Sequence, residues 1–272
     1  MQAAKEHLVV KEYPDGLFSW VDLSTTDTAG AKAFYSGLFG WEADDTPIDM
    51  GGFYTTFRVD GFSVAGMGEL PPDMQAQGVP PNWSSYVKSS DVNAVAAKVA
   101  AAGGAIIMPP MDVMEEGRMM IASDTTGAVF GVWQPKNHIG AQLVNIPNTL
   151  VWNELQTRDV ETGKAFYEAV FDWAVEIDKS GYVMFRNNGR MQAGMLTMNE
   201  AFGDDVPPNW AVYFLVEDVD ASVTKAQDLG GTILVPTMPA GEMGHFAVIQ
   251  DPQGAIFSII HFNGPVDSPP GY

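Results

Sequence analysis

The apolar positions of residues 17–38 change their spacing once. Leu17 to Leu23 mixes aromatic, β-branched and apolar residues as a strand does. After Asp27, whose carboxylate suits the free backbone donors of a helix N-terminus, Ala31, Phe34, Tyr35 and Leu38 fall at i, i+3, i+4 and i+7. This predicts a strand, a capped turn and a helix packed behind the strand. The same pattern returns over residues 149–170: Trp152 stands 132 positions after Trp20, Glu154 matches Asp22, and Phe166-Tyr167 match Phe34-Tyr35. Asp159 takes the cap, and Gly163, Phe166, Tyr167 and Val170 form the stripe. Gly40-Trp41 and Asp172-Trp173 close the two helices.

Beyond each helix the helical period disappears and three short strands are expected. Tyr54–Arg58 matches Tyr182–Arg186 and Ala65-Gly66-Met67 matches Ala193-Gly194-Met195, now 128 apart, so the first copy carries extra residues in a loop around 47–52. Proline-rich connectors lead to Val79–Trp83 and Val206–Trp210, identical pentapeptides 127 apart. A strand then runs to a second helix, capped by Asp91 or Asp218 and ended by Gly103-Gly104 or Gly230-Gly231. Three more strands finish each half, the last following Asp124–Gly127 or Asp251–Gly254. The chain thus reads as an α+β protein of four β-α-β-β-β modules in two tandem domains, residues 17–134 and 149–262. A lead-in (1–16), a linker (135–148) and a loosely held tail (263–272) surround them.

Composition narrows the function. Lys and Arg number 14 against 34 Asp and Glu, a net charge of −20, which repels phosphate backbones and anionic lipid surfaces. Nucleic-acid and membrane partners are therefore not expected. There is no cysteine, which removes disulfides, thiolate metal sites and cysteine nucleophiles together. No stretch approaches the ~20 apolar residues of a membrane span, and the first residues lack the apolar run of a signal peptide. A cytoplasmic protein is expected.

The β-α-β-β-β order, the helix reading Asp, six residues, Phe-Tyr, and the Asp-x-x-Gly turn before the last strand resemble the vicinal oxygen chelate superfamily. That family includes glyoxalases, extradiol dioxygenases, fosfomycin-resistance enzymes and bleomycin-resistance binding proteins. The chain is most similar to two-domain actinobacterial members labelled glyoxalase-like, hydroxylase or secreted-type antigen. The resemblance covers about residues 17–134 and 149–262. It implies cupped, mostly antiparallel sheets around a cavity and, in the metal enzymes, ligands on the first, fourth, fifth and last strands of a domain. Carried across residue by residue, those positions become Trp20, Gly66, Ser85 and Gly131, then Trp152, Gly194, Val212 and Ser258. None offers the imidazole or carboxylate a divalent ion needs. Neither His7, His138, His245 nor His261 lies on a first strand. No metal and no cofactor are expected.

Trp20 with Asp22, and Trp152 with Glu154, lie two apart on a strand and so share a face. An aromatic ring beside a carboxylate suits a flat or cationic small molecule, or else the tryptophans simply fill the cups. Tyr54 and Arg58, with Tyr182 and Arg186, recur on strands expected to line the same cups. The arginines anchor an anionic group or form structural ion pairs. Trp83 with Tyr86, and Trp210 with Tyr213, read as core and interface packing. His245 with Glu242 is the one candidate acid–base pair, in a loop before the last two strands. The leading reading is a metal-independent small-molecule binder, a monomer or homodimer. The alternatives are a lyase, isomerase or hydroxylase-like enzyme using those groups or the Asp22/Glu154 acids, and an antigen-like interaction protein with filled cups.

Overall fold

The computed structural model describes residues 8–48 and 51–271; the first seven residues of the lead-in, positions 49 and 50 of the 47–52 loop, and Tyr272 lie outside the described residues. The first domain runs β1 (Phe18–Thr25), α1 (Thr28–Phe39), β2 (Glu42–Pro47), β3 (Phe53–Val59) and β4 (Phe62–Glu69). A one-turn helix, α2 (Pro72–Ala76), sits in the proline-rich connector. There follow β5 (Asn82–Lys88), α3 (Val92–Ala101), β6 (Ala105–Val113), β7 (Gly117–Ser123) and β8 (Val129–Pro135). The second domain repeats the order: β9 (Leu150–Thr157), α4 (Val160–Phe171), β10 (Ala174–Ile177), β11 (Val183–Asn187), β12 (Arg190–Thr197), β13 (Asn209–Leu215), α5 (Val219–Asp228), β14 (Thr232–Pro239), β15 (Gly244–Gln250) and β16 (Ile256–Phe262).

Local chemistry sets the helix ends. Asp27 accepts from the backbone N–H of Gly30, Asp91 from Asn93 and Ala94, Asp159 from Thr162 and Asp218 from Ala221. Gly40 ends α1 in the left-handed region at φ 74°, and Asp172 takes the same role after α4 at φ 57°.

Each domain forms one 8-stranded sheet, ordered β2-β3-β4-β1-β5-β8-β7-β6 and β10-β11-β12-β9-β13-β16-β15-β14. The two modules of a domain join through antiparallel β1–β5 or β9–β13, with β4, β8, β12 and β16 running parallel beside these central strands. Two tandem α+β domains of matching strand order result.

The cores are built crosswise. One joins Leu23, Ala31, Phe34 and Tyr35 of the first domain to Phe214, Val219, Ala226 and Phe257 of the second. The other joins Val95, Val99, Phe130 and Val132 to Phe166, Tyr167, Val170 and Phe185. Polar pairs repeat the exchange. Tyr35 donates to Asp251 Oδ2 (2.9 Å) and accepts from Trp83 Nε1 (3.0 Å); Tyr167 donates to Asp124 Oδ2 (3.0 Å) and accepts from Trp210 Nε1 (2.7 Å). The Oδ1 atoms of both aspartates accept backbone N–H groups within their own turns. The Phe-Tyr helix of one domain is therefore tied to the Asp-x-x-Gly turn of the other.

The connecting segments also differ from loose coil. In the lead-in, Tyr13 is buried and donates to Ala141 O, while Gly16 O accepts from Trp173 Nε1. In the tail, the expectation of loose coil is corrected: Asp267 O accepts from Asn145 Nδ2 at 3.0 Å, Ser268 O accepts from Arg190, and Pro269 and Pro270 are buried. Among the described residues no helix is long and apolar enough to cross a membrane.

Candidate functional site

On the inner face of the first sheet, Trp20 and Asp22 project from β1 with Tyr54 of β3 above them. Trp20 Nε1 donates to Tyr54 Oη at 3.0 Å, and Tyr54 Oη–H donates to Asp22 Oδ2 at 3.4 Å. This arrangement depends on Gly66, opposite Asp22 on β4: a Cβ there would stand 1.9 Å from Tyr54 Oη and 3.0 Å from Trp20 Nε1. The second sheet repeats the device. Trp152 Nε1 donates to Tyr182 Oη at 3.2 Å, Tyr182 donates to Glu154 Oε2 at 2.7 Å, and a Cβ on Gly194 would stand 1.8 Å from Tyr182 Oη.

The fifth strand corrects the sequence alignment by one residue. Trp20 pairs with Tyr86, and Trp152 with Tyr213, so these tyrosines and not Ser85 and Val212 face the cups. Ser85 points the other way and donates to Asn153 Oδ1 of the second domain at 2.6 Å. Tyr213, expected to be packing, donates to Glu154 Oε1 at 2.9 Å. The last strand presents Gly131 against Tyr86, where a Cβ would lie 2.2 Å from the ring, and Ser258 beside Tyr213. The four family ligand positions are thus tryptophan, glycine, tyrosine and glycine in one cup, and tryptophan, glycine, tyrosine and serine in the other. Tyrosine hydroxyl and indole occupy the volume where side-chain ligands would converge. These residues do not fit a divalent ion, and among the described residues no group of three or more His, Cys, Asp or Glu could hold one.

The acids differ between the cups. Glu154 is buried and accepts from Tyr182, Tyr213 and, at 3.4 Å, Gln156; burial raises its pKa while the two tyrosines pull it back. Asp22, one methylene shorter, accepts only from Tyr54, and its Oδ1 is shielded from solvent with no hydrogen-bond partner. Burial pushes its pKa up to about 7.

The cups also differ in access. His138, from the segment between the domains, stands edge-on to Trp20 with ring centroids 4.4 Å apart, and its carbonyl accepts from Trp133 Nε1 at 2.8 Å. Trp20 is left only 4% exposed. Burial, then the nearby Arg58 cation, lowers the His138 pKa to about 4, so the imidazole is neutral at ordinary pH. Trp152 is instead half-buried and forms part of the wall of a cavity of about 390 Å³, with Gln192 and Met191 of β12, Leu17 and Phe18 at the start of the first domain, Val144 of the linker, and the tail residues Gly264–Asp267 and Pro270.

The remaining candidates fall elsewhere. Arg58 pairs with Asp44 (3.1 Å) and Arg186 with Glu176 (2.5 Å), each also reaching the carbonyl of a hairpin glycine. These are ion pairs at the sheet margin. Glu242 lies on the cavity rim, and its backbone carbonyl accepts from Asn263. His245 is exposed on β15 opposite His261. Its neighbour Phe246 contacts Tyr213 on the cup side, so His245 points away from the cup. No hydrogen bond joins Glu242 to His245 among the described residues. His138 and Gln192 carry no sequence signal for the cups, the first lying in an aperiodic segment and the second in no motif, while Tyr86 and Tyr213, read from sequence as packing, stand one register step from the positions counted.

A sequence model of the Glyoxalase/Bleomycin resistance protein/Dioxygenase superfamily matches residues 17–132 and 146–259. The chain is 42% identical over 253 residues, 92% of its length and 96% of the relative's, to CFP32 of Mycobacterium tuberculosis (strain CDC 1551 / Oshkosh), whose name assigns it provisionally as a glyoxylase. It is 35% identical to the anthracycline biosynthesis protein DnrV of Streptomyces peucetius, covering 91% of this chain and 94% of that one. Among solved structures, the Mn(II)-bound glyoxalase from Novosphingobium aromaticivorans superposes with TM-score 0.63 at 16% identity, covering 93% of this chain and 84% of that chain. The 2,3-dioxygenase LapB from Pseudomonas sp. KL28 does so with TM-score 0.62 at 14% identity, covering 95% and 96%. Similarity at that level concerns the fold. With the family model spanning both domains and the mycobacterial relative aligned over 92% of the chain, the chain belongs to the Glyoxalase/Bleomycin resistance protein/Dioxygenase superfamily.

Proposed function

We propose that this protein is a metal-independent small-molecule binder that holds a flat aromatic ligand in the cavity beside Trp152, stacked against that ring. The observation that carries this reading is the contrast between the cups. The Trp20 ring is covered by His138, whereas the equivalent Trp152 forms a wall of a cavity of about 390 Å³. That volume lies in the range of about 300–1,000 Å³ in which small-molecule sites fall. Indole offers a face for ring stacking, and Met191 and Met243 supply an adaptable apolar lining. The Streptomyces relatives are named for anthracycline biosynthesis, and a polycyclic aromatic ligand suits such a wall.

Metal independence is supported by the donor chemistry at the family ligand positions, where tryptophan, glycine, tyrosine and serine supply no imidazole or carboxylate. Glu154 helps to hold Tyr182 and Tyr213 in place at the cup floor. A thermal-shift screen of flat aromatic compounds on chelator-treated protein tests the reading. Compounds that stabilise the wild type are expected to lose most of the effect in Trp152→Ala and to keep it in Trp20→Phe. Ligands that stabilise only metal-loaded protein, or that ignore Trp152→Ala, contradict it.

A further inference from the structure

The wall beside Trp152 contains a group that the fold leaves without a partner. Gln192 is one of the residues lining the cavity, and its amide Oε1 and Nε2 lie just behind the cavity surface, shielded from solvent and without a hydrogen-bond partner. A buried amide in that condition forfeits hydrogen bonds to water on both its donor and its acceptor side, and a protein gains by supplying a complement. The internal duplication provides a control. The equivalent residue of the first domain, 128 positions earlier, is Val64, fully buried beneath the closed cup. The closed cup has an apolar side chain where the open one has an amide. Neighbouring Arg190 does not satisfy Gln192, since its guanidinium is directed to Ser268 O of the tail.

A carboxamide carries its acceptor and its donor side by side on one edge. The edge that satisfies both at once is an adjacent N–H and C=O on a rigid ring. We propose that Gln192 turns into the cavity to pair with such an edge, so that this site selects flat ring systems bearing a lactam or imide. The inference rests on the cavity being a site for flat ligands. Trp152 supplies stacking to any flat ring, and Gln192 distinguishes among rings by their edge.

Carbostyril, a flat bicyclic lactam, and N-methylcarbostyril, which keeps the ring and carbonyl but has no N–H, are the probes. Their affinities for the full chain are measured by calorimetric titration with wild type, Gln192→Leu, Gln192→Glu and Trp152→Ala, each first checked for an unchanged melting curve. Carbostyril is expected to bind wild type at least about tenfold more tightly than its N-methyl analogue, the worth of one hydrogen bond that would otherwise go unmade. That preference should vanish in Gln192→Leu, which can pair with neither the N–H nor the carbonyl of the ring. Gln192→Glu, which replaces the N–H donor with an acceptor, should weaken carbostyril. Equal affinity for both probes in wild type, with both weakened by Trp152→Ala, overturns the role of Gln192 and leaves the cavity assignment standing. Binding of neither probe, or binding indifferent to both positions, overturns the two together.

Discussion

Asp22 and Glu154 occupy equivalent places on β1 and β9, and one methylene separates their environments. Glu154 reaches two tyrosine hydroxyls, whereas Asp22 reaches one and keeps an oxygen without a partner. The energetic consequence is a pH dependence with a definite sign. Burial holds the folded pKa of Asp22 at about 7 against an ordinary 3.8. Between those values the folded chain retains a proton that the unfolded chain has released, so this residue's contribution to stability falls as pH rises through that window. Asp22→Asn has the shape of the protonated acid and does not titrate. It should melt above the wild type at about pH 8 and together with it near pH 4; a variant that melts lower at both contradicts the assignment. Trp20, Asp22, Trp152 and Glu154 were legible as a shared face because strand alternation fixes which residues point together. Tyr86 was not, because counting to Ser85 missed by one residue and a one-residue slip moves a side chain to the opposite face. No period marks His138 as the group that covers Trp20, since only the folded path of the segment between domains brings them together.

At the scale of the strands, the cups depend on paired absences of side chain. Gly66 and Gly194 leave room for a tyrosine hydroxyl above the fourth strand of each domain, with Cβ positions 1.9 and 1.8 Å from the oxygen. A glycine in a strand otherwise weakens it, so close approach of another group is its physical reason. Gly194→Ala must push Tyr182 off Trp152 and Glu154. We expect a loss of about 1–3 kcal/mol in urea unfolding; a change within about 0.5 kcal/mol would show that the tyrosine moves freely. The order of the strands, the helix caps and the glycine helix ends were readable because each rests on local chemistry. The short α2 and the anchored tail were not, because Arg190 and Asn145 act on the tail from far away in sequence.

For the whole molecule, duplication produced an interlocked pair. The first module of each domain shares a core with the last module of the other, and Tyr35–Asp251 and Tyr167–Asp124 bridge the domains in both directions. Neither domain closes its own apolar helix face, so calorimetry should record one cooperative transition. Tyr35→Phe, which strips Asp251 and Trp83 of a partner, should lower that single transition; two resolved transitions would contradict the interlock. The domain pattern showed that two halves exist, but pairing across them is long-range and left no local signal. Above all, the proposed function has the family fold binding its ligand without the family ion. Calorimetric titration of chelator-treated protein with Mn²⁺, the ion of the structurally similar Novosphingobium glyoxalase, tests this most directly. No saturable binding is expected, and one tightly bound ion per domain or per chain would contradict the proposed function.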